Sequence, residues 1–211
     1  KDDDLEELIN IVASGIGTLT NPNRLSNTFK SEKRSSISYD TVKDYIEYLC
    51  DSFIVEKTER YDVKGKNYIN SLHKYYFMDL GLRNARLNFR QFEKTHLLEN
   101  LIYNELRMRG YNIDVGVVPS VIRNKDGNQQ RANYEIDFVC NAGSRRYYIQ
   151  SAYRMESDDK IKQEKTSLLK VDDSFKKIIV VGDEMPITRD DNGITIINIY
   201  DFLLKSNSLE L

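Results

Sequence analysis

The sequence predicts an α+β protein: a mostly helical first half and a second half in which helices and strands alternate. In the first half, apolar residues recur at helical spacing and are followed by two strand patterns around a polar, glycine-containing turn. In the second half, a long amphipathic helix precedes three strand patterns, a charged helix and two further apolar strand patterns. We expect two domains, spanning residues 1–88 and 89–211.

Three helices are predicted in the first domain. In residues 4–13 the apolar side chains fall at positions i, i+3, i+4 and i+7, and a short helix over 24–29 follows an Asn-Pro-Asn turn. The third helix covers residues 40–52, with Asp40 as its expected N-cap. Its apolar stripe is expected to consist of Val42, Tyr45, Ile46, Leu49 and Phe53.

Two strands, over 55–65 and 74–82, are predicted to form a hairpin after the third helix. Three helices followed by a hairpin are the outline of a winged helix, a helix-turn-helix variant. A helix that reads DNA bases needs exposed Arg, Lys, Asn or Gln, whereas the third helix offers Asp44, Glu47 and Asp51. Nucleic-acid contact is therefore expected from basic residues around that helix: Lys33, Arg34, Lys57, Arg60, Lys64 and Lys66. Residues 1–90 carry 14 basic and 14 acidic side chains, so a protein-binding winged helix stays an equal alternative.

The second domain is predicted to begin with a helix over 92–109 that ends at Gly110. Residues 119–133 are rich in turn-forming residues and are expected to form a surface hairpin loop. The run KKIIVVG is apolar throughout, as an interior strand should be. The remaining predicted elements are strands within NIDVGVV, YEIDFVC, RYYIQSAY and GITIINI, and helices over 157–169 and 200–204.

Composition excludes several classes of protein. The formal net charge is −2, so binding to nucleic acid has to be argued from local features. The sequence has only two cysteines and two histidines, so it predicts neither a disulfide framework nor a structural zinc site. We expect a cytoplasmic protein without membrane contact, because the sequence has no signal peptide and no apolar run near 18 residues.

The candidate chemistry is that of a metal-dependent phosphodiesterase, which needs carboxylates around Mg²⁺ and a cation near the attacking water. A restriction-type nuclease core takes these groups from a helix Glu, a strand Asp and a Glu-x-Lys on the next strand. Here Glu99 and Asp137 are the candidate metal ligands, and Gln150 is the third candidate catalytic residue. Ala152 stands where the Lys is needed, so the cation is absent from its usual place. The alternative is that these carboxylates are structural, and Glu105, in the middle of the helix stripe, is open to the same interpretation.

An ordered set of motifs resembles one family across essentially the whole chain. The set comprises the helix and hairpin of 37–62, then KYYFMDLGLRN, HLLENLIYNELRMRGYNIDVG, YEIDFV, YYIQSAY and YDFLL. It is similar to the C-terminal region of bacterial and archaeal AAA+-type ATP-binding proteins, which carry an ATPase, a winged helix and a PD-(D/E)xK nuclease-like domain. The resemblance implies a restriction-endonuclease-like fold for 89–211, with Glu99 and Asp137 at matching positions and Gln150 and Ala152 departing from the Glu-x-Lys pattern.

The resemblance also implies that ATP would bind only in an ATPase half preceding Lys1, an expectation that fits the start without Met and the absence of a P-loop motif. The first functional prediction is a non-catalytic module of an ATPase that engages nucleic acid or a partner protein. The enzyme alternative is a DNA endonuclease using Glu99, Glu105, Asp137 and Gln150, with Lys160 or Lys162 supplying the cation. The third alternative is a protein-interaction scaffold that regulates the ATPase half.

Overall fold

A computed structural model of the chain describes residues 2–33, 37–123 and 127–211. Within these residues the fold is mixed α and β, with seven helices and an eight-stranded mixed sheet. The chain divides into two compact units. Unit 1 comprises Lys1–Glu59 and Asn70–Asn104, and unit 2 comprises Arg60–Ile69 and Glu105–Leu211.

Unit 1 contains helices α1 (Asp2–Ser14), α2 (Pro22–Lys33), α3 (Tyr39–Asp51) and α4 (Leu80–Arg86), and most of α5 (Lys94–Met108). It also holds the parts of β1 (Val55–Asp62) and β2 (Asn67–Phe77) that lie away from their connecting turn. The apolar faces of α1, α2 and α3 pack together in one core with Val55, Tyr75 and Phe77. The helical period of the sequence therefore identified the buried faces of α1 and α3.

Four local predictions for unit 1 are wrong. The N-cap of α3 is Ser38, whose side chain accepts from the backbone N–H of Thr41, and Asp40 lies inside the first turn. Phe53 does not extend the apolar stripe: it is 80% exposed and has φ +55°, because the helix ends before it. The second strand of the hairpin ends at Phe77, earlier than predicted. Helix α4, whose N-cap is Asp79, was not predicted at all.

Unit 2 is built on the sheet, in the order β2-β1-β3-β4-β5-β6-β8-β7. Its further strands are β3 (Asn112–Arg123), β4 (Gln129–Ala142), β5 (Arg145–Ala152), β6 (Lys176–Val181), β7 (Thr188–Arg189) and β8 (Thr195–Asn198). Helix α6 (Asp158–Leu169) lies between β5 and β6, and α7 (Ile199–Leu204) follows β8. Strands β3, β4 and β5 are antiparallel, whereas β5, β6 and β8 run parallel, so each parallel connection needs a crossover.

The core of unit 2 confirms the predicted interior strand, since Ile178 to Val181 of β6 are fully buried. One face of the sheet packs against the apolar side of α6 through Leu168, with Val118, Ile136 and Ala152 in the same core. The predicted surface hairpin at 119–133 is present, but its loop is shorter than predicted, because β3 and β4 stay paired from Pro119–Asn133 to Arg123–Gln129. Turn-forming residue types had concealed the alternation of these strands.

No helix among the described residues combines the length and apolar character needed to cross a bilayer. Both cysteines are free thiols, with Cys140 buried and Cys50 half-buried.

Candidate functional site

Glu99 lies on α5 in unit 1 and is 6% exposed. Its Oε1 accepts a hydrogen bond from Lys74 Nζ at 2.8 Å and another from the Tyr76 hydroxyl at 2.7 Å. Lys74 is also buried, at 3% exposure, so this is an ion pair removed from water. Charge-assisted bonds of this kind hold a carboxylate in a fixed orientation.

The local sequence explains how this cluster forms. Lys74 and Tyr76 are two residues apart on β2, so strand alternation directs both to the same face. Glu99 and Tyr103 are four apart on α5, and the Tyr103 ring stacks on Tyr76 with centroids 4.2 Å apart. Gly17 closes over the cluster: it has φ +70°, and a Cβ there would lie 3.3 Å from both oxygens of Glu99. A larger residue at Gly17 would have to adopt a left-handed backbone conformation and would displace the carboxylate by a few tenths of an ångström.

The sequence analysis assigns no role to Lys74. The pattern predicts a strand over 74–82, and Tyr75, Tyr76 and Phe77 are indeed buried. The available signal was the position of Lys74 itself, on the same strand face as the buried Tyr76. A lysine two residues before a buried residue on that face needs a nearby carboxylate.

Asp137 lies on β4 in unit 2 and is 7% exposed. Its Oδ2 accepts from the backbone N–H of Ser151 at 2.8 Å and from the Ser151 hydroxyl at 2.9 Å. In the described ladder between β4 and β5, the final backbone pair on this side is Phe138–Ile149. At the point where the two strands separate, the side chain of Asp137 therefore replaces a backbone carbonyl as the acceptor for the Ser151 N–H.

A β-bulge places Asp137 at this point. Asp114 of β3 pairs with Val139, but Gly116 pairs with Ile136, so Asp137 and Phe138 together oppose Val115. Gly116 is needed beside the bulge, because a Cβ there would lie 2.8 Å from Val139 Cγ2 and 3.0 Å from Ile136 Cβ. Ile136 to Cys140 are all buried because β4 lies between β3 and β5 in the interior of the sheet, with both of its faces covered there.

Gln150 is half-buried on β5, and its Oε1 accepts a weak hydrogen bond, 3.4 Å long, from Ser167 Oγ of α6. Ala152, at the position of the expected Lys, is 1% exposed and belongs to the apolar core of unit 2. Gln150 thus contacts α6 through the same oxygen that could have coordinated a cation.

The other residues of the endonuclease alternative have identifiable partners. Glu105 Oε1 accepts from Arg109 Nε at 2.7 Å, and Arg109 also donates to the Phe202 carbonyl and the Ser208 hydroxyl. Lys160 pairs with Glu164 at 2.5 Å, whereas Lys162 is exposed. Across 2–33, 37–123 and 127–211, no group of three or more His, Cys, Asp or Glu side chains is arranged to hold a metal ion.

The six predicted nucleic-acid contacts are distributed over both units. Lys57 of unit 1 lies 3.8 Å from Glu59, and the exposed Lys64 of unit 2 lies 3.6 Å from Asp172. Lys66 is exposed in the turn between β1 and β2, whereas Arg60 is only half-exposed. Arg34 and the side chain of Lys33 lie outside the described residues.

Comparison with known families divides the sequence near the end of the first predicted domain. Residues 1–93 match a domain of unknown function, DUF8612, and residues 94–202, more than half of the chain, match a second domain of unknown function, DUF4143. The chain belongs to the DUF4143 family. The boundary between the two matches precedes α5, so in this DUF4143 protein the whole of that helix, including Glu99, falls in the second match.

Two uncharacterised proteins are similar to this DUF4143 chain. One, from Haemophilus influenzae, is 32% identical over 95% of the chain, and the other, from Methanocaldococcus jannaschii, is 31% identical over 84%. The chain spans only 46% and 37% of these relatives' own lengths. No solved structure gives a significant match.

Proposed function

We propose that this DUF4143 chain is a non-catalytic binding module of an AAA+-type ATPase, and that it engages DNA or a partner protein. The observation that carries the proposal is the bonding of Asp137. A carboxylate that accepts both the backbone N–H and the hydroxyl of Ser151 is part of the sheet, and ligating a metal would compete with those bonds.

The bonding of Glu99 supports the same proposal. Its Oε1 accepts from a buried ammonium and from a phenol, so its charge is already compensated within unit 1. A residue that stabilises the fold in this way remains useful after cleavage activity is lost, and this accounts for an intact Glu99 beside an altered Glu-x-Lys.

The order of the helices and strands supports a winged helix in the first half of the chain and a restriction-endonuclease-like core in the second half. Helices α1 to α3 followed by the β1–β2 hairpin match the outline of a winged helix. Helix α5, the antiparallel strands β3 to β5, helix α6 and the parallel strand β6 match that of a restriction-endonuclease-like core. The ATPase half is proposed from the motif resemblance, and the greater length of both relatives leaves room in them for such a domain.

A metal-dependent endonuclease is the second candidate, and one observation favours it. Lys74 places an ammonium 2.8 Å from Glu99, which is the kind of cation that Gln150 and Ala152 do not supply. In this alternative carboxylates would bind Mg²⁺, and Lys74 would hold Glu99 in a fixed orientation.

One pair of assays separates the two candidates. The 211-residue chain is incubated with plasmid, linear and branched DNA across Mg²⁺ and Mn²⁺ titrations, and metal binding is measured by calorimetry beside Asp137→Ala. The binding module leaves all three DNA forms intact. Cleavage that disappears in both Asp137→Ala and Lys74→Met would overturn the proposal and establish the nuclease.

If the chain binds a protein instead of DNA, the proposed module is a scaffold that regulates the ATPase half. DNA binding gives an affinity that falls steeply with salt, with a linear dependence of log K on log salt concentration. A chain with no such affinity, but with measurable binding to the ATPase domain of a full-length relative, would assign the module to protein contact.

A further inference from the structure

The paired ends of β3 and β4 form a two-stranded ribbon. We define the ribbon as residues 119–123 and 129–133, which pair from Pro119–Asn133 to Arg123–Gln129. The described pairing of β1 with β3 ends at Val117, and that of β5 with β4 ends at Phe138. The ribbon therefore extends beyond the part of the sheet in which β3 and β4 have outer neighbours.

Both arginines of the ribbon lie on one of its two faces. Directly paired residues share a face, so this face carries the pairs Arg123–Gln129, Val121–Arg131 and Pro119–Asn133. Its four polar side chains are exposed, and so is Val121. The opposite face carries the pairs Ile122–Gln130 and Ser120–Ala132 and has no charged residue.

We propose that this polar face of the ribbon binds in the major groove of double-stranded DNA. This proposal rests on the DNA-binding version of the proposed function and identifies the surface that would bind the DNA. Arg bonds to guanine O6 and N7, and Gln or Asn to adenine N6 and N7, so the face presents the donors and acceptors that distinguish base pairs. Neither strand segment of the ribbon contains an acidic residue. The nearest acid along β4 on this face is Glu135, at the base of the ribbon.

The dimensions favour a B-form duplex. Five residues per strand at about 3.3 Å each give a ribbon roughly 16 Å long, and paired strands lie about 4.8 Å apart. The major groove of B-DNA is about 12 Å wide and admits a two-stranded ribbon, whereas the deep, narrow major groove of A-form RNA does not. The ribbon thus selects a DNA duplex over an RNA duplex of the same sequence.

The test is fluorescence anisotropy of the full chain with a labelled DNA duplex of about 20 base pairs, at several salt concentrations. We expect Arg123→Ala/Arg131→Ala to weaken binding at least tenfold and to reduce discrimination between duplex sequences, because each arginine is proposed to contact the edge of a guanine. The matched control, Arg145→Ala/Arg154→Ala, removes two exposed arginines of unit 2 from outside the ribbon and should change affinity less than threefold. Gln129→Ala/Asn133→Ala keeps the charge and should reduce discrimination between duplex sequences.

The outcomes separate this inference from the proposed function. If the wild type binds DNA and the ribbon double variant binds equally well, the ribbon assignment is overturned while the binding module stands. If both double variants weaken binding equally, the effect is one of net charge, and the ribbon assignment is again overturned. If the wild type binds neither DNA nor RNA duplexes, the nucleic-acid function fails and the ribbon assignment fails with it. An equal affinity for DNA and RNA duplexes would contradict binding in the major groove.

Discussion

Glu99 in unit 1 and Asp137 in unit 2 are both buried carboxylates and both predicted metal ligands, yet different groups hold them. Glu99 is paired with a full positive charge, on Lys74. Asp137 accepts from neutral donors, the backbone and hydroxyl of Ser151. The difference shows that a buried carboxylate can be held by two unrelated structural needs: charge compensation in one unit and termination of a strand pair in the other.

The largest expected effect is on the ion pair of unit 1. Lys74→Met removes the ammonium from a carboxylate that is 6% exposed, and we expect the free energy of unfolding to fall by about 3–5 kcal/mol. Lys74→Met/Glu99→Met should recover most of this loss, because an apolar pair of similar volume avoids the desolvation penalty. Urea unfolding measures both variants.

The exposed pair Lys43–Glu47 on α3, with an Nζ to Oε1 distance of 3.7 Å, provides the control. Lys43→Met should change the free energy of unfolding by less than about 0.5 kcal/mol. Equal losses in Lys74→Met and Lys74→Met/Glu99→Met would contradict charge compensation as the role of Lys74.

Asp137→Ala is expected to be the next largest change. It takes the acceptor from the Ser151 backbone N–H and hydroxyl, and we expect a loss of about 2–3 kcal/mol by the same urea measurement. Ser151→Ala removes only the hydroxyl bond and should cost about 1 kcal/mol. If Asp137→Ala is as stable as the wild type, Asp137 has no structural role and the metal-binding alternative gains support.

Asp190 in unit 2 is a third carboxylate, held both by a charged side chain and by backbone donors, and its role can be tested through the pH dependence of stability. Burial alone would raise its pKa, but Lys165, whose Nζ lies 2.8 Å from Oδ2, and the backbone N–H groups of Ile194 and Asn192 together lower the pKa below its ordinary value of 3.8. Among these lowering contributions, the contact with Lys165 is the largest.

A pKa lowered in the folded state gives stability that is present above the unfolded value and lost as pH falls through the folded value. Asp190→Asn should therefore cost about 1 kcal/mol at pH 7 and progressively less below pH 4. Urea midpoints from pH 2.5 to 7 test this, and a constant difference between variant and wild type would contradict it.

The smallest effect is expected at His73 of unit 1, where burial first and Lys57 second lower the pKa from 6.5, with Glu59 acting in the opposite direction. Folding then favours the neutral imidazole, so this contribution to stability is present above pH 6.5 and lost as pH falls through the folded pKa. We expect His73→Gln to flatten the pH dependence of the urea midpoint below pH 6.5. An unchanged profile would show that His73 does not titrate with unfolding.

Helical spacing predicted α1 and α3, and a continuous apolar run predicted the interior strand β6, because both patterns are local properties of the chain. The same reasoning failed at Asp40, since the choice between neighbouring caps depends on where the chain enters the helix, and Ser38 has the extended backbone that a cap needs. It also predicted too long a loop over 119–133, where the two ends of the segment pair with each other as strands despite their turn-forming composition.

Of the candidate site, the sequence alone determined the residue types: two acids, a Gln and an Ala in a nuclease-like order, with no Lys at the expected position. Only the tertiary structure decided their partners. Lys74 and Glu99 are 25 residues apart, and Asp137 and Ser151 are 14 apart across a bulged strand. A buried charge or a strand end takes its partner from whatever the fold brings near it, and that proximity is a property of the packed chain rather than of any local pattern.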